Sequence, residues 1–216
     1  MYSLLIDCSH HRNFIGLFQT KKEWIAGQYF EGFPLEALSS QIKALFNTCS
    51  IEKTAIDHFY TPSNPGSQLG IRLTQIFVQS WIKTLCPSAQ WTQYNGLYMS
   101  ARLLADKKNS ADQPDYIITE KGRMAWSTLC MDSGFFLTPK IRVLDSSTVG
   151  NFSGTVYYLP QVKRWQAPPC PVLEIDYAPE QFLKFFEDLD NDNFDSAHLC
   201  EPETEYAKWH APNLNN

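Results

Sequence analysis

The residues best suited to chemistry follow the first apolar run of the chain. That run ends at Asp7, and the polar segment Cys8–His11 comes directly after it. A carboxylate and the Ser9 hydroxyl at the end of a strand could hold Mg²⁺ and phosphate oxygens. The same carboxylate could instead accept hydrogen bonds from backbone N–H groups in the turn. Both interpretations of Asp7 and Ser9 stay open, and the structural one is favoured.

A nucleotide-hydrolysing enzyme would need more than this turn. Actin-like ATPases place such a carboxylate beside the phosphates. They also carry a second glycine-rich phosphate loop, a further carboxylate near the metal and a glycine pair beside the adenosine. We find none of these in the sequence, nor a Ser/His/Asp or Cys/His triad. No catalytic residue is therefore predicted. A degenerate actin-like ATPase or kinase that uses Asp7 is kept as an alternative to a protein without catalytic activity.

Two further segments could bind metal ions. His10 and His11 lack additional ligands at a recognisable spacing, so we expect both to be exposed in a turn. The run that starts at Asp188 imitates a calcium loop, but it has Asn193 at the sixth position and Leu199 at the twelfth. Without the bidentate acid the loop loses its strongest ligand, so an acidic turn is predicted and no metal is assigned.

A second cluster of turn residues lies at Asn64–Arg72. Pro65 and Gly66 predict a turn, Ser67 is placed to cap a helix, and Gly70 allows another backbone to approach closely. The pattern lacks the Gly-Lys-Ser/Thr end of a P-loop and the Gly-x-Ser-x-Gly of a nucleophile elbow. Spacing alone therefore predicts a strand-to-helix corner with a capped helix.

The elements around these turns alternate between strand and helix. Three strands precede a helix that begins at Pro34, with Leu35, Leu38, Ile42 and Leu45 on one face. A strand over 54–60 leads to a second helix over 68–85, and a third helix covers 97–105. The polar stretch 106–113 predicts a boundary between lobes 1–105 and 106–216. The second lobe should contain a hairpin around Lys121–Gly122, strands over 141–144, 155–159 and 172–175, and a helix over 179–189.

The second helix is expected to pack one face against the core. The predicted inward stripe is Leu73, Ile76, Phe77, Ser80, Trp81 and Thr84. Trp81 is assigned to the core.

Composition excludes several classes of function. The net charge is −5, with 18 basic residues scattered among 23 acidic ones, so strong RNA binding by this chain alone is not expected. The six cysteines form no C-x-x-C pair, which argues against zinc and favours reduced thiols. No leader-like segment or apolar window of membrane length is evident, so a cytoplasmic protein is predicted.

Two segments together resemble the TsaB (YeaZ) family, and the resemblance covers residues 1 to about 105 and is weak beyond them. The opening 4–9, followed by a second strand at 15–18, is similar to that family's Leu-x-Ile-Asp-Thr-Ser pattern. The corner 65–72 is similar to its Gly-Pro-Gly-Ser-Phe-Thr-Gly-x-Arg motif, and 201–208 faintly resembles its closing segment. Cys8, Asn64, Gln68 and Leu69 depart from the pattern, so contacts with a partner are expected to differ.

The resemblance implies an α/β actin-like (Hsp70/actin, ribonuclease H-like) fold of two lobes with mixed sheets and flanking helices. It implies a non-catalytic subunit of the bacterial machinery that makes threonylcarbamoyladenosine in tRNA. Such a subunit supports the catalytic TsaD, TsaE joins as an ATPase, homodimers are typical, and tRNA is met only through the complex. A paralogue that binds another protein is a further alternative. No cofactor is predicted, and a shared interface is the one place where ATP or ADP with Mg²⁺ is considered. The implied interface residues are Pro65, Gly66, Ser67, Gly70, Ile71, Arg72, Gln75 and Gln79.

Overall fold

The first half of the chain forms a mixed five-stranded sheet. This computed structural model describes residues 1–20, 23–106, 115–132 and 139–191. The strands β1 to β5 are Tyr2–Asp7, Asn13–Thr20, Glu23–Phe30, Ile56–Asn64 and Gln90–Asn95. They lie in the order β3-β2-β1-β4-β5. The antiparallel meander β1–β3 is as predicted, whereas β5, which runs parallel to β4, was not predicted.

Two helices cover one face of this sheet. Helix α1 (Pro34–Cys49) begins at the predicted proline, and α2 (Gln68–Thr84) begins after the predicted cap Ser67. They pack on the β1 residues Leu4 and Ile6. The α1 residues Leu38, Ile42, Leu45 and Phe46 are buried, but Leu35 in the first turn is exposed, contrary to the prediction.

The inward stripe predicted for α2 is wrong in part: Phe77 and Trp81 pack on the core as predicted, but the rest of the stripe does not. The residues that face the core are Gly70, Ile71, Thr74, Val78 and Trp81. Ile76, Ser80 and Thr84 lie on the solvent side, although they were predicted to face inward. Trp81 belongs to the core, as predicted, and its Nε1 donates to the Lys53 carbonyl at 3.2 Å.

The second half of the chain repeats the topology of the first. Its strands β6 to β10 are Asp115–Gly122, Ala125–Met131, Ile141–Asp145, Val156–Tyr158 and Leu173–Glu174. They lie in the order β10-β9-β6-β7-β8. In each sheet the first strand pairs antiparallel with the second and parallel with the fourth. This duplication, and the predicted hairpin at 121–122, confirm the two-lobed α/β fold of the actin-like class.

A helical layer fills the space between the two sheets. It consists of α3 (Gly96–Asp106), a 3₁₀ helix (Pro179–Phe185) and α5 (Phe186–Asn191). Its buried residues include the predicted apolar set Phe182, Leu183, Phe186 and Leu189. All strands of the first sheet precede residue 106 and all of the second follow 114. The chain after β10 nevertheless returns to the first sheet, so the last helices join the two lobes.

The outer face of the second sheet is covered by α4 (Ser146–Gly150) and packs around Ile118 and Trp126. Among the residues that the structure describes, no helix is long and apolar enough to cross a membrane. The five cysteines within those residues are all free. Most of the predicted boundary 106–113, the calcium-like run beyond residue 191 and the segment 201–208 lie outside the described residues.

Candidate functional site at the end of the first strand

The Asp7 side chain is buried at the carboxyl end of β1 and accepts four hydrogen bonds. Its Oδ1 accepts from the Ser9 backbone N–H at 2.9 Å and from the Ser9 hydroxyl at 2.6 Å. Its Oδ2 accepts from the Tyr94 hydroxyl at 2.5 Å and from the Tyr177 hydroxyl at 2.6 Å. The carboxylate therefore acts as an acceptor within the fold, and protein donors use the four lone-pair directions it offers.

The two tyrosines come from distant parts of the chain. Tyr94 lies near the carboxyl end of β5, which is brought beside Asp7 because β1, β4 and β5 run parallel. Tyr177 lies between β10 and the 3₁₀ helix, 170 positions from Asp7. Sequence reasoning missed both. Tyr94 belongs to the strand that was not predicted, and the sequence around Tyr177 carries no local signal for a contact with the first lobe.

The imidazole of His10 is also buried, which corrects the prediction that it is exposed; His11 is exposed as predicted. His10 stacks on Tyr177 with ring centroids 3.7 Å apart and an interplanar angle of 11°. Its Nδ1 lies 2.8 Å from the Ser9 Oγ. Because the single hydroxyl hydrogen of Ser9 is donated to Asp7, Nδ1 carries the hydrogen and donates to Ser9. Nε2 is then a bare acceptor, and it has no partner among the described residues.

The corner at the start of α2 packs directly on this turn. The Ser67 backbone N–H donates to the Ser9 carbonyl at 2.6 Å, and the Ser67 Oγ accepts from the Gly70 N–H at 3.2 Å. A Cβ placed on Gly66 would lie 2.3 Å from the Ser9 carbonyl oxygen. One placed on Gly70 would lie 1.8 Å from the carbonyl oxygen of Cys8. The glycines are thus explained by close backbone contacts inside the chain.

The structure separates the predicted interface residues into three groups, which are buried, exposed and partly buried. Gly70 and Ile71 were predicted to face a neighbouring subunit, but both are buried in the core of the chain. The reason is that α2 approaches β1 through its glycine side. The residues of the set with exposed side chains are Arg72 and Gln79, and Pro65, Gly66, Ser67 and Gln75 are partly buried.

Solved structures share this architecture. No protein-family model and no curated protein matches the sequence. YeaZ from Pseudomonas aeruginosa superposes with a TM-score of 0.55 at 14% identity, over 73% of this chain and 74% of that one. The chain has the fold of YeaZ. An uncharacterised protein with similarity to peptidase YeaZ, from Pseudomonas aeruginosa, superposes with a TM-score of 0.59 at 12% identity, over 88% of this chain and 93% of that one. The YeaZ-like fold therefore includes the second lobe, where the sequence resemblance was weak.

A nucleotide site between the two sheets would need free ligand atoms on the first strand of each sheet. Leu5 pairs with β4 and faces the core between the sheets, and Asp7 follows two residues later. In the second lobe Ile117 pairs with β9 and faces the same core, and Thr119 follows it two residues later. Thr119 is buried, and its Oγ1 accepts from the Gln161 Nε2 at 2.6 Å. Neither position offers an unused carboxylate oxygen, so these residues do not fit Mg²⁺ or nucleotide phosphate.

Burial sets the protonation of the groups around Asp7. It lowers the pKa of His10 to about 4, against a smaller opposing effect of the Asp7 charge. Burial and the proximity of Asp7 raise the pKa of Tyr94 and of Tyr177 well above the usual value. At neutral pH the imidazole is therefore neutral, and both phenols keep the hydrogens that they donate to Asp7.

The lowered pKa of His10 predicts a loss of stability in weak acid. In the unfolded chain this histidine takes up a proton near pH 6.5, whereas in the folded chain it does so only near pH 4. The free energy of unfolding should therefore fall as the pH decreases from 6.5 towards 4. Between pH 7 and 4.5 we expect this histidine to account for about 2 kcal/mol.

Urea denaturation at the two pH values measures this effect. His10→Phe removes the titrating group and keeps a ring that can stack on Tyr177, so its stability should change less with pH than that of the wild type. An equal pH dependence in both proteins would contradict the assignment to His10.

Proposed function

We propose that this chain is a non-catalytic, protein-binding subunit that supports a TsaD-like catalytic subunit in the synthesis of tRNA threonylcarbamoyladenosine. The YeaZ fold supports this role, as does the resemblance of the segments 4–9 and 65–72 to the TsaB family. The observation that carries it is the saturation of Asp7 by donors of the chain itself. The position that would hold phosphate and metal in an actin-like ATPase is used to stabilise the fold.

The surface proposed for the partner is the outer face of α2. Leu69 and Ile76 are large aliphatic residues with relative exposures of 62% and 59%. Arg72 and Gln79 are exposed on the same helix, and the spacing 69, 72, 76 and 79 places all four side chains along one stripe. The opposite stripe is buried against β1, so within the described residues this face is exposed and open to a second protein. The buried centre of a protein interface is more apolar than the rest of the surface, and arginine is enriched in interfaces.

This stripe takes the place of the buried residues Gly70 and Ile71 in the proposed interface. In the complex we propose, a TsaE-like ATPase joins through the catalytic subunit, and tRNA is bound by the assembly in the cytoplasm. A homodimer of this chain would use the same stripe. Its formation and its competition with the catalytic subunit can be followed by size-exclusion chromatography.

Substitution of Ile76 by arginine is expected to weaken the complex with the TsaD homologue of the same organism. A charged side chain at the centre of an apolar interface should cost about 2 kcal/mol, which is roughly a 30-fold rise in Kd. Leu173→Arg is the matched control, because Leu173 is 56% exposed on the second lobe, away from α2. Its Kd should stay within about twofold of the wild type. Isothermal titration calorimetry of the purified proteins gives both values.

The outcomes separate the proposed role from the proposed surface. If the wild type does not bind the TsaD homologue, the role itself is wrong, and affinity capture from the source cells would identify the partner of a paralogue. If Ile76→Arg binds as tightly as the wild type, the stripe on α2 is not the interface. A fold check by circular dichroism applies to both variants, and Gly70→Arg is unsuitable because its side chain would collide with the backbone of Cys8, in the turn after β1.

A further inference from the structure

The ring of Tyr177 lies in a pocket formed by other parts of the chain, and its hydroxyl points to Asp7. We propose that this corner is a binding pocket specific for a phenol ring, filled in cis by Tyr177, at the position where the actin-like fold would otherwise receive a phosphate. The proposal does not depend on which protein the chain binds.

The polar end of the pocket selects a hydroxyl group. The Asp7 Oδ2 accepts from the Tyr177 hydroxyl at 2.6 Å, and the Ser9 hydroxyl beside it is already donated to Oδ1. The Tyr94 hydroxyl is likewise donated to Asp7. The corner thus presents an acceptor to its occupant, whereas a phosphate would require donors. A neutral phenol matches this arrangement.

The walls of the pocket fit a flat ring. His10 covers one face at a centroid distance of 3.7 Å, and Phe182 meets the ring edge-on at 5.4 Å. Gly96, at the start of α3, leaves the remaining space. A Cβ at that position would lie 2.8 Å from the Tyr177 hydroxyl oxygen and 2.9 Å from its Cε2. Stacking, edge contact and a missing side chain together define a slot of the thickness of one aromatic ring.

The position of Tyr177 in the chain explains which segment the occupied pocket holds in place. The residue lies where the chain leaves the second sheet and returns to the first. Three positions further on, the carbonyl of Glu180 accepts from the Trp24 Nε1 at 2.9 Å, and its carboxylate accepts from the Tyr29 hydroxyl. The pocket therefore holds the returning segment against β1, β3 and β5, and keeps the two lobes in one arrangement.

Removal of the ring followed by addition of a free phenol tests the pocket. Tyr177→Ala should lower the Tm, and p-cresol should restore part of the loss by occupying the vacated slot. Since Tyr177 is only partly buried, p-cresol can enter from the solvent. At about five times its Kd, p-cresol should raise the Tm of the variant by about 2–4 °C and leave that of the wild type unchanged.

Two comparisons make the result specific. Toluene has the same ring without the hydroxyl, so it should raise the Tm of Tyr177→Ala clearly less than p-cresol does. In Tyr177→Ala combined with Asp7→Ala, the two compounds should raise the Tm equally. Equal stabilisation of Tyr177→Ala by the two compounds, or none by either, would overturn the proposal. If Tyr177→Ala does not fold, Tyr177→Phe keeps the ring. The destabilisation caused by Asp7→Asn should then be smaller in Tyr177→Phe than in the wild type, and additive effects would overturn the proposal.

Discussion

Replacement of Gly70 by alanine is expected to destabilise the first lobe severely. A glycine-to-alanine change inside a helix normally stabilises it by about 1 kcal/mol. Here the added Cβ would lie 1.8 Å from the carbonyl oxygen of Cys8, a main-chain atom of the turn after β1. A backbone oxygen cannot move aside as a flexible side chain can, so α2 would have to shift away from the sheet. We expect the free energy of unfolding to fall by about 4 kcal/mol or more.

Gly122 provides the matched control for this prediction. It lies at the end of β6, and a Cβ at that position would meet no atom of the described residues within 4 Å. Gly122→Ala should therefore change the free energy of unfolding by less than about 0.5 kcal/mol. Urea denaturation followed by circular dichroism measures both variants. A Gly70→Ala protein as stable as the control would show that α2 does not need the close approach.

The close approach at Gly70 also accounts for the shape of the site. It brings the start of α2 so near β1 that the Ser67 N–H reaches the Ser9 carbonyl. That bond holds the turn in which Ser9 donates to Asp7. The Pro-Gly-Ser-x-x-Gly corner thus serves a contact between backbones.

Local patterns were sufficient to predict much of the fold. The β-meander, the start of α1 at Pro34 and the cap Ser67 depend on neighbouring residues, and they appear where the sequence placed them. The inward face of α2 was mispredicted because the apolar Ile76 suggested a stripe that the contact at Gly70 overrides. Strand β5 was missed because its residues are mostly polar and only partly buried, so it lacks the apolar run of a central strand.

The site was predictable only where its residues are close in sequence. Asp7 and Ser9 could be identified from the end of β1 and the turn that follows. Tyr94 and Tyr177 reach Asp7 through the parallel pairing of β5 and the return of the chain from the second lobe, and no local pattern records either. His10 was expected to be exposed, but it is buried because the ring of Tyr177, distant in sequence, covers it.

Removal of the Asp7 carboxylate should decide between the two interpretations of this residue. In Asp7→Ala the hydroxyls of Ser9, Tyr94 and Tyr177 lose the acceptor to which they donate. An unsatisfied buried polar group costs about 1–3 kcal/mol, so we expect a total loss of about 3–5 kcal/mol after partial rearrangement. Asp145→Ala is the control, since that exposed carboxylate caps the short α4, and its loss should destabilise the fold far less than the loss of Asp7.

The direction in which Asp7→Ala changes the stability distinguishes a structural role of this carboxylate from a role in catalysis or ligand binding. Residues kept for catalysis or ligand binding are often a burden on the fold, and their replacement tends to leave stability unchanged or to increase it. A carboxylate kept for the fold behaves in the opposite way. If Asp7→Ala is as stable as the wild type, Asp7 is not a structural residue, and the ATPase hypothesis regains its basis. A large loss would mean that this chain uses the carboxylate at the end of β1, where an actin-like ATPase would hold phosphate, to join its lobes.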